Sequence, residues 1–265
     1  MTPPTLERDP LPLRGRSVLI TGVSRRSGIG YATACRAAAY GANVFCHHYS
    51  PHDAQQPWGD DDVDAVLAGV REHLIDGARV ADIHADLSDP AAAKQVMDAA
   101  VQEFGRVDAL VCNHAVSGSD GHLREITAAD LDHHWNVNTR ASLLLAQSFA
   151  AQMLSGTIVL MTSGQNQGPM RGEVAYATAK AALAGITATL ADELAPDGIR
   201  VNTVNPGPVD TGYLGPEAWE SMKHMFPFGR FGEPDDPARL ITWLLTDEAS
   251  WITGQVINSE GGFTR

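Results

Sequence analysis

The sequence predicts an α/β fold, a doubly wound, seven-stranded parallel sheet with helices on both faces. Three observations carry that reading. Short β-branched runs alternate with longer alanine-rich stretches of helical period, the first run leads straight into a glycine-rich turn, and 265 residues suffice to bury one sizeable core.

Residues 1–12, rich in proline, read as a flexible leader, and one domain is expected over 13–265. The candidate strands are "SVLIT" (17–21), "NVFCH" (43–47), "RVADIHA" (79–85), "VDALVC" (107–112), "TIVLMT" (157–162), "IRVNTV" (199–204) and "QVIN" (255–258). Helical patterns fill the gaps between them. "TAAD", Thr127 to Asp130, fits a capping box opening a helix that runs on to Leu154, and a second helix runs from about Glu173 to Leu194 before Pro196 and Gly198 stop it. Two segments look like excursions from the core, the acidic "SPHDAQQPWGDDD" (50–62) and the stretch 211–234; long loops of this kind often carry function.

Composition narrows the function. A net charge of −13, with lysine only at Lys94, Lys180 and Lys223, disfavours a nucleic-acid groove or an attachment to anionic lipid. The N-terminus has no apolar signal core, and Cys35, Cys46 and Cys112 are odd in number and set in apolar runs. They read as buried thiols of a reducing compartment, so a cytoplasmic location is expected. His47, His48, His52, His133 and His134 cluster in sequence without metal-ligand spacing, so no metal is expected. Asp60 to Asp62 read as a solvated helix start.

The strand 17–21 runs into "TGVSRRSGIG", with Gly22, Gly28 and Gly30 ahead of an alanine-rich helix. Glycines let the backbone turn tightly and approach a pyrophosphate, whose charge the free amides of the helix N-terminus meet. This makes the chain a candidate dinucleotide-binding protein, with Ser24 and Ile29 of the loop among the contacts. The second strand bears on which dinucleotide. An unphosphorylated ribose normally meets an acid at its end, and here "CHHYS" offers His47, His48 and Tyr49 instead. His48 is counted with the cofactor contacts. A 2′-phosphate needs a cation, which Arg25 or Arg26 could supply; the alternative is that both point into solvent.

"YATAK" places Tyr176 and Lys180 four apart, on one helix face, and Ser163 precedes the tyrosine by 13 residues at a strand end. Together with the loop, this pattern resembles the short-chain dehydrogenase/reductase family in its short single-domain form, from about Leu13 to Phe263, and similarity extends to its 3-oxoacyl-carrier-protein reductase-like members. The resemblance implies a Rossmann-type fold and one dinucleotide-binding and catalytic domain. It puts Gly22, Gly28 and Gly30 on the family's glycine loop, Asp86 on the acid beside the adenine with Leu87 next to it, and Asn113 on the second Asn of Asn-Asn-Ala-Gly. It puts Asn138 with Ser163, Tyr176 and Lys180 in a catalytic tetrad. "NPGPVDT" falls on the segment beside the nicotinamide, with Pro206, Gly207, Val209 and Thr211 as contacts; Tyr176 and Lys180 also face the cofactor. Two departures stand out: five residues separate Gly22 from Gly28 where the family has three, and "CNHA" replaces Asn-Asn-Ala-Gly, bringing Cys112 and His114 near the cofactor.

What the resemblance implies is an NADP(H)-dependent oxidoreductase that interconverts a ketone and a secondary alcohol, with a small carbonyl or alcohol as substrate. Tyr176 would be the general acid/base, its phenol made more acidic by the Lys180 ammonium one turn away. Lys180 would also bond the nicotinamide ribose, Ser163 would steady the substrate oxygen, and Asn138 would hold a water. A homo-oligomer, a tetramer, is implied as well. Two other readings stay open: a reductase of carrier-bound 3-oxoacyl groups, docking on Arg124, Arg140 and Arg171, and a non-catalytic dinucleotide sensor. The apolar side chains of 211–234, among them Tyr213, Leu214, Trp219, Met222, Met225, Phe226 and Phe228, form either a mobile lid or a helix packed on its own domain or a second subunit.

Overall fold

The computed structural model describes residues 7–213 and 215–265. Its first half runs β1 (Ser17–Thr21), α1 (Ile29–Ala39), β2 (Asn43–His48), α2 (Ser50–Ala54), α3 (Val63–Arg71), β3 (Val80–His84), α4 (Ala92–Phe104) and β4 (Ala109–Cys112). The second half runs α5 (Ala128–His134), a π-helical segment (Trp135–Arg140), α6 (Ala141–Ala150), β5 (Gly156–Met161), α7 (Val174–Leu194), β6 (Ile199–Asn205), α8 (Pro216–Met222), α9 (Asp235–Leu244) and β7 (Val256–Asn258).

All seven strands are parallel, in the order β3-β2-β1-β4-β5-β6-β7. The order reverses between β1 and β4, and in such sheets the crevice beyond the strand ends at the reversal is where ligands sit. Gly22 follows β1 and Asn113 follows β4, so both line that crevice.

β1 is buried along its whole length because both faces are covered. Val18 and Ile20 pack with Val66 and Val70 of α3 and Ile241 and Leu244 of α9. Leu19, one residue out of phase, packs on the other side with Val96 of α4, Leu145 and Phe149 of α6 and Leu183 of α7. Each such side chain contributes roughly 1.5–3 kcal/mol relative to exposure.

Most expected boundaries agree to within one or two residues. Of the leader, residues 1–6 lie outside the described residues; Leu13 is fully buried and its N–H bonds Tyr40 O at 3.0 Å. Thr127 and Asp130 form the capping box, the Asp130 N–H donating to Thr127 Oγ1 at 3.2 Å and the Thr127 N–H to Asp130 Oδ2 at 2.9 Å. The helix expected from there to Leu154 differs: it breaks at Trp135–Arg140 into the π register and ends at Ala150. Asp62 caps α3, its carboxylate accepting the Asp64 N–H at 3.0 Å. Residues 174–197, which include α7, are by length and composition apolar enough to cross a membrane, and α7 buries one side, Ala179, Leu183 and Thr187 included, within this fold.

Candidate active site

The glycine loop leaves β1 as a bulge. The Val23 N–H still bonds His47 O at 2.9 Å, and the extra residues turn back where the Gly28 N–H meets Arg25 O at 3.0 Å. Gly22 sits at φ +74°, and a Cβ there would lie 2.9 Å from His114 Cα. A Cβ on Gly30 would land on the Gly22 carbonyl oxygen and 2.7 Å from Asn113 Nδ2. That nitrogen donates to Thr21 O and Gly22 O at 3.0 and 3.2 Å, so Asn113 braces the turn. No side chain caps α1, whose first amides face the loop. A tight glycine cradle against an uncapped helix start fits a dinucleotide pyrophosphate.

Ser24 Oγ accepts the Tyr49 N–H at 3.2 Å, tying the loop to the end of β2. Ile29 is half-buried against the core, and Leu87 is a core side chain. Asp86 Oδ1 accepts the Ser88 N–H at 2.8 Å, and the Tyr49 side chain stands next to its carboxylate. His48 does not face the loop: its ring is buried with Nε2 3.1 Å from Asp82 Oδ2. His47 does, with Nδ1 accepting the Gly22 N–H at 3.3 Å and Nε2 donating to Ala85 O at 2.9 Å. Strand residues alternate in direction, so neighbouring histidines take opposite faces.

Neither arginine points freely into solvent. Arg25 Nε pairs with Asp53 Oδ1 at 3.0 Å, its guanidinium stacks 5.2 Å from the Trp58 ring centre, and Nη1 donates to Thr211 O at 2.8 Å. It fastens the 50–62 segment and the 211 segment to the loop. Arg26 makes a two-pronged pair with Asp61 at 2.7 and 2.9 Å and remains 56% exposed. The guanidinium holds the Asp61 carboxyl down at about 2.

At the other side of the crevice Tyr176 stands beside Ser163, and Lys180 Nζ lies 5.6 Å from the Tyr176 ring centre and donates to Met161 O at 3.0 Å. Asn138 is fully buried: Oδ1 accepts the Val116 N–H at 2.7 Å and Nδ2 donates to Val116 O at 3.1 Å. The four tetrad residues thus come from the π segment, the β5 end and α7. Ionisation differs from the expected direction. Burial pushes the Tyr176 phenol up to about 12, against the lowering influence of the neighbouring Ser163 side chain, and burial pulls the Lys180 ammonium down to about 8. Desolvation opposes the charged form of each group.

Three contributors escaped the sequence reading. Asp120, in the loop after β4, accepts the Ala175 and Tyr176 N–H groups at 2.9 and 2.8 Å and so caps α7. His134 is fully buried, its ring centre 6.1 Å from that of Tyr176 and Nε2 donating to Gly118 O at 2.9 Å. Arg265 pairs with Glu260 and packs where any side chain on Gly164, the residue after Ser163, or on Gly168 would stand. The spacing of Asp120 in sequence gives no signal for its role.

Of the nicotinamide segment, Pro206 is half-buried, Gly207 N–H bonds Asn205 Oδ1 at 3.0 Å, and Val209 is buried and bridges to Gly232. The segment 211–234 divides. Trp219, Phe226 and Phe231 pack together with ring centres 4.3 to 6.1 Å apart, and Phe263 joins them, so this part packs on its own domain. Tyr213 is instead half-exposed and faces Trp58 at 6.5 Å; Leu214 lies outside the described residues. Among the described residues no three His, Cys, Asp or Glu side chains could hold a metal ion.

A glycine cradle at the reversal of a doubly wound sheet, facing a tyrosine, lysine and serine, defines a nicotinamide-dinucleotide oxidoreductase. Comparison with known proteins agrees. Residues 22–264 match the family model described as Enoyl-(Acyl carrier protein) reductase. The chain is 40% identical over 252 residues to the uncharacterized oxidoreductase YjdA of Bacillus subtilis, covering 93% of this chain and 96% of that one. A short-chain dehydrogenase/reductase from Serratia marcescens superposes with a TM-score of 0.82 at 33% identity, over 95% of this chain and 99% of that one. A short-chain dehydrogenase from Burkholderia cenocepacia in complex with NADP does so with the same score and identity, over 95% and 98%. The chain belongs to the short-chain dehydrogenase/reductase family.

Proposed function

We propose that the protein is an NADP(H)-dependent oxidoreductase that interconverts a ketone and a secondary alcohol, with Tyr176 as general acid/base. The carrying observation is Tyr176, beside Ser163 and one helical turn from Lys180, whose Nζ lies 5.6 Å from its ring centre, in a sheet whose order reverses at the glycine loop. The bound dinucleotide would supply the hydride. Gly22, Gly28 and Gly30 would admit its pyrophosphate, Asp86 its adenine, and Pro206 to Thr211 its nicotinamide side. Ser163 would hold the substrate oxygen while Tyr176 delivers or takes the proton, and Lys180 would offset the charge left on the phenol oxygen.

NADP(H) rather than NAD(H) is supported by the absence of a carboxylate at the end of β2 and by the NADP-bound relative. Of the two arginines, Arg26 suits the 2′-phosphate, since it is 56% exposed and among the described residues its guanidinium pairs with the Asp61 carboxylate alone, which phosphate can replace, whereas Arg25 is locked among three segments. Tyr213 and Trp58, from the two excursions, would wall the substrate side.

The carrier-bound reading loses one element of its docking patch, because Arg140 is bonded to Ser88 O and Asn136. A cytoplasmic homotetramer is also proposed: Leu131 and Trp135 are 41% and 45% exposed beside one shallow groove, and Trp251, next to the edge strand β7, is 98% exposed. Light scattering tests the assembly.

The decisive experiment is a fluorescence titration with both reduced cofactors, followed by a carbonyl panel with the preferred one and with Tyr176→Phe. Turnover lost with cofactor affinity kept is the expected outcome; turnover retained removes Tyr176 from the chemistry. Tight NADPH binding with no oxidation on any carbonyl favours the sensor reading.

A further inference from the structure

His114 stands where the family's Asn-Asn-Ala-Gly has a small residue, and the mechanism above gives it no part. Its ring is buried and joins two elements of the site. Nε2 lies 2.9 Å from Val137 O, and a carbonyl can only accept, so Nε2 carries the proton. Nδ1 is then bare and accepts the Thr21 hydroxyl at 2.6 Å. The Thr21 oxygen in turn accepts the Asn113 and His114 N–H groups at 3.1 and 3.3 Å. The base of the glycine loop and the segment that carries Asn138 are thereby linked through one imidazole.

The π register explains why Val137 O is available. In an α-helix the Ala141 N–H would bond Val137 O, four residues back. Here it reaches five back, to Asn136 O. The wider turn takes that donor away from Val137 O, a partly buried acceptor, and an acceptor left without a partner away from water is costly. His114 supplies that partner. A return to the α register would turn residues on one side of the slip by about 100° relative to the other. Asn138 would then lose its grip on Val116, which is held by bonds of 2.7 and 3.1 Å.

We infer that His114 is a positioning residue that holds the π register of residues 135–140, and so the place of Asn138, and couples both to the base of the dinucleotide loop. The inference rests on the tetrad reading above for its effect on turnover, and on the geometry alone for its effect on the segment.

Three variants separate these levels. His114→Ala removes both bonds, His114→Gln keeps a donor in the place of Nε2, and Tyr176→Phe tests the tetrad. In unliganded protein, amide hydrogen exchange over 135–142 should quicken about tenfold or more in His114→Ala, with β5 unchanged, and return near wild type in His114→Gln. For the carbonyl chosen by the panel, kcat should fall about 10- to 100-fold in His114→Ala with KM within about threefold, and recover substantially in His114→Gln. Unchanged exchange over 135–142, uniform acceleration across the sheet, or a His114→Gln that behaves like alanine overturns the inference. If His114→Ala does not fold, the nitrogen-15 shifts of the wild-type imidazole decide: protonation at Nε2 upholds the bridge and protonation at Nδ1 overturns it. Turnover kept by Tyr176→Phe would sink the tetrad reading while the exchange result still judges His114.

Discussion

The carboxylate of Asp120 accepts the backbone N–H of Tyr176 at 2.8 Å and that of Ala175 at 2.9 Å. A loop residue distant in sequence thus fixes the first turn of the helix from which the tyrosine reaches into the crevice. Burial alone would push the Asp120 carboxyl up, but the Tyr176, Ala175 and Gly121 amides hold it below the usual range.

Replacing Asp120 by alanine removes a helix cap, which costs about 0.5–2 kcal/mol, and leaves Tyr176 less firmly placed. The variant should melt a few degrees lower, about 2–4 °C per kcal/mol, and lose more kcat than KM. Asp120→Asn, which can still accept one amide, should lie between the two. A kcat equal to wild type in the alanine variant would show that the cap is structural only.

Lys180 is the second handle. Its ammonium is pulled down to about 8 by burial, while Tyr176 stays protonated to about 12. Reduction of a ketone should therefore hold its rate below about pH 8 and decline above it, as Lys180 loses the charge that stabilises the phenolate. Lys180→Met should remove that limb and slow turnover about 100-fold or more. Stability runs the other way. The folded chain binds fewer protons than the unfolded one between the lowered value of about 8 and the ordinary 10.5, so this residue's contribution to stability rises with pH across that window. The methionine variant should consequently melt higher than wild type at pH 7. Calorimetry and a pH–rate profile check both halves.

Arg26 and Arg25 should separate cleanly. Arg26→Ala is expected to weaken NADPH about 10- to 100-fold, the worth of a charge-assisted contact, and NADH little. Asp61→Asn, which frees Arg26, should tighten NADPH. Arg25→Ala should instead raise the carbonyl KM, because Asp53, Trp58 and Thr211 O all lose their anchor. Equal losses of NADPH and NADH in Arg26→Ala would assign the phosphate elsewhere.

Acid should loosen the loop through two histidines. Burial pulls His47 to about 4 and His114 to about 3. Both are neutral in the fold, so their contribution is fully present above the unfolded value of about 6.5 and is lost as pH falls toward those two values, with a slope of up to about 1.4 kcal/mol per pH unit for each. Melting temperatures from pH 7 to 4 should fall, and less steeply in His47→Gln. A decline of the same steepness in that variant would place the acid sensitivity in other groups.

The strand runs, the glycine turn and the Tyr-x-x-x-Lys pair were legible because each is a local pattern: β-branched residues in short runs, glycines where backbones meet, and a four-residue step along one helix face. The π segment was not, since "WNVNTR" has the composition of an ordinary helix and only the hydrogen-bond register distinguishes it. The sequence expectation of His48 beside the cofactor fails because the strand's phase, which turns His47 and not His48 toward the loop, is not visible in sequence. The acids that meet Arg25 and Arg26 lie 28 and 35 residues downstream, in the short helix α2 and in the loop after it, where pattern is silent on proximity. The ionisation of Tyr176 runs against the sequence expectation because depth is a tertiary property; four-residue spacing brings in the ammonium but says nothing of the water removed from around both groups.

The chain carries side-chain amines at Lys94, Lys180 and Lys223 alone, and only the first and last stand in solvent. Acylating reagents should modify those two at once and reach residue 180 only when α7 parts from the sheet. Mass spectrometry of the label at that position would therefore time the opening of the catalytic helix, and a resin coupled through amines would hold the protein by its outer surface with the crevice untouched.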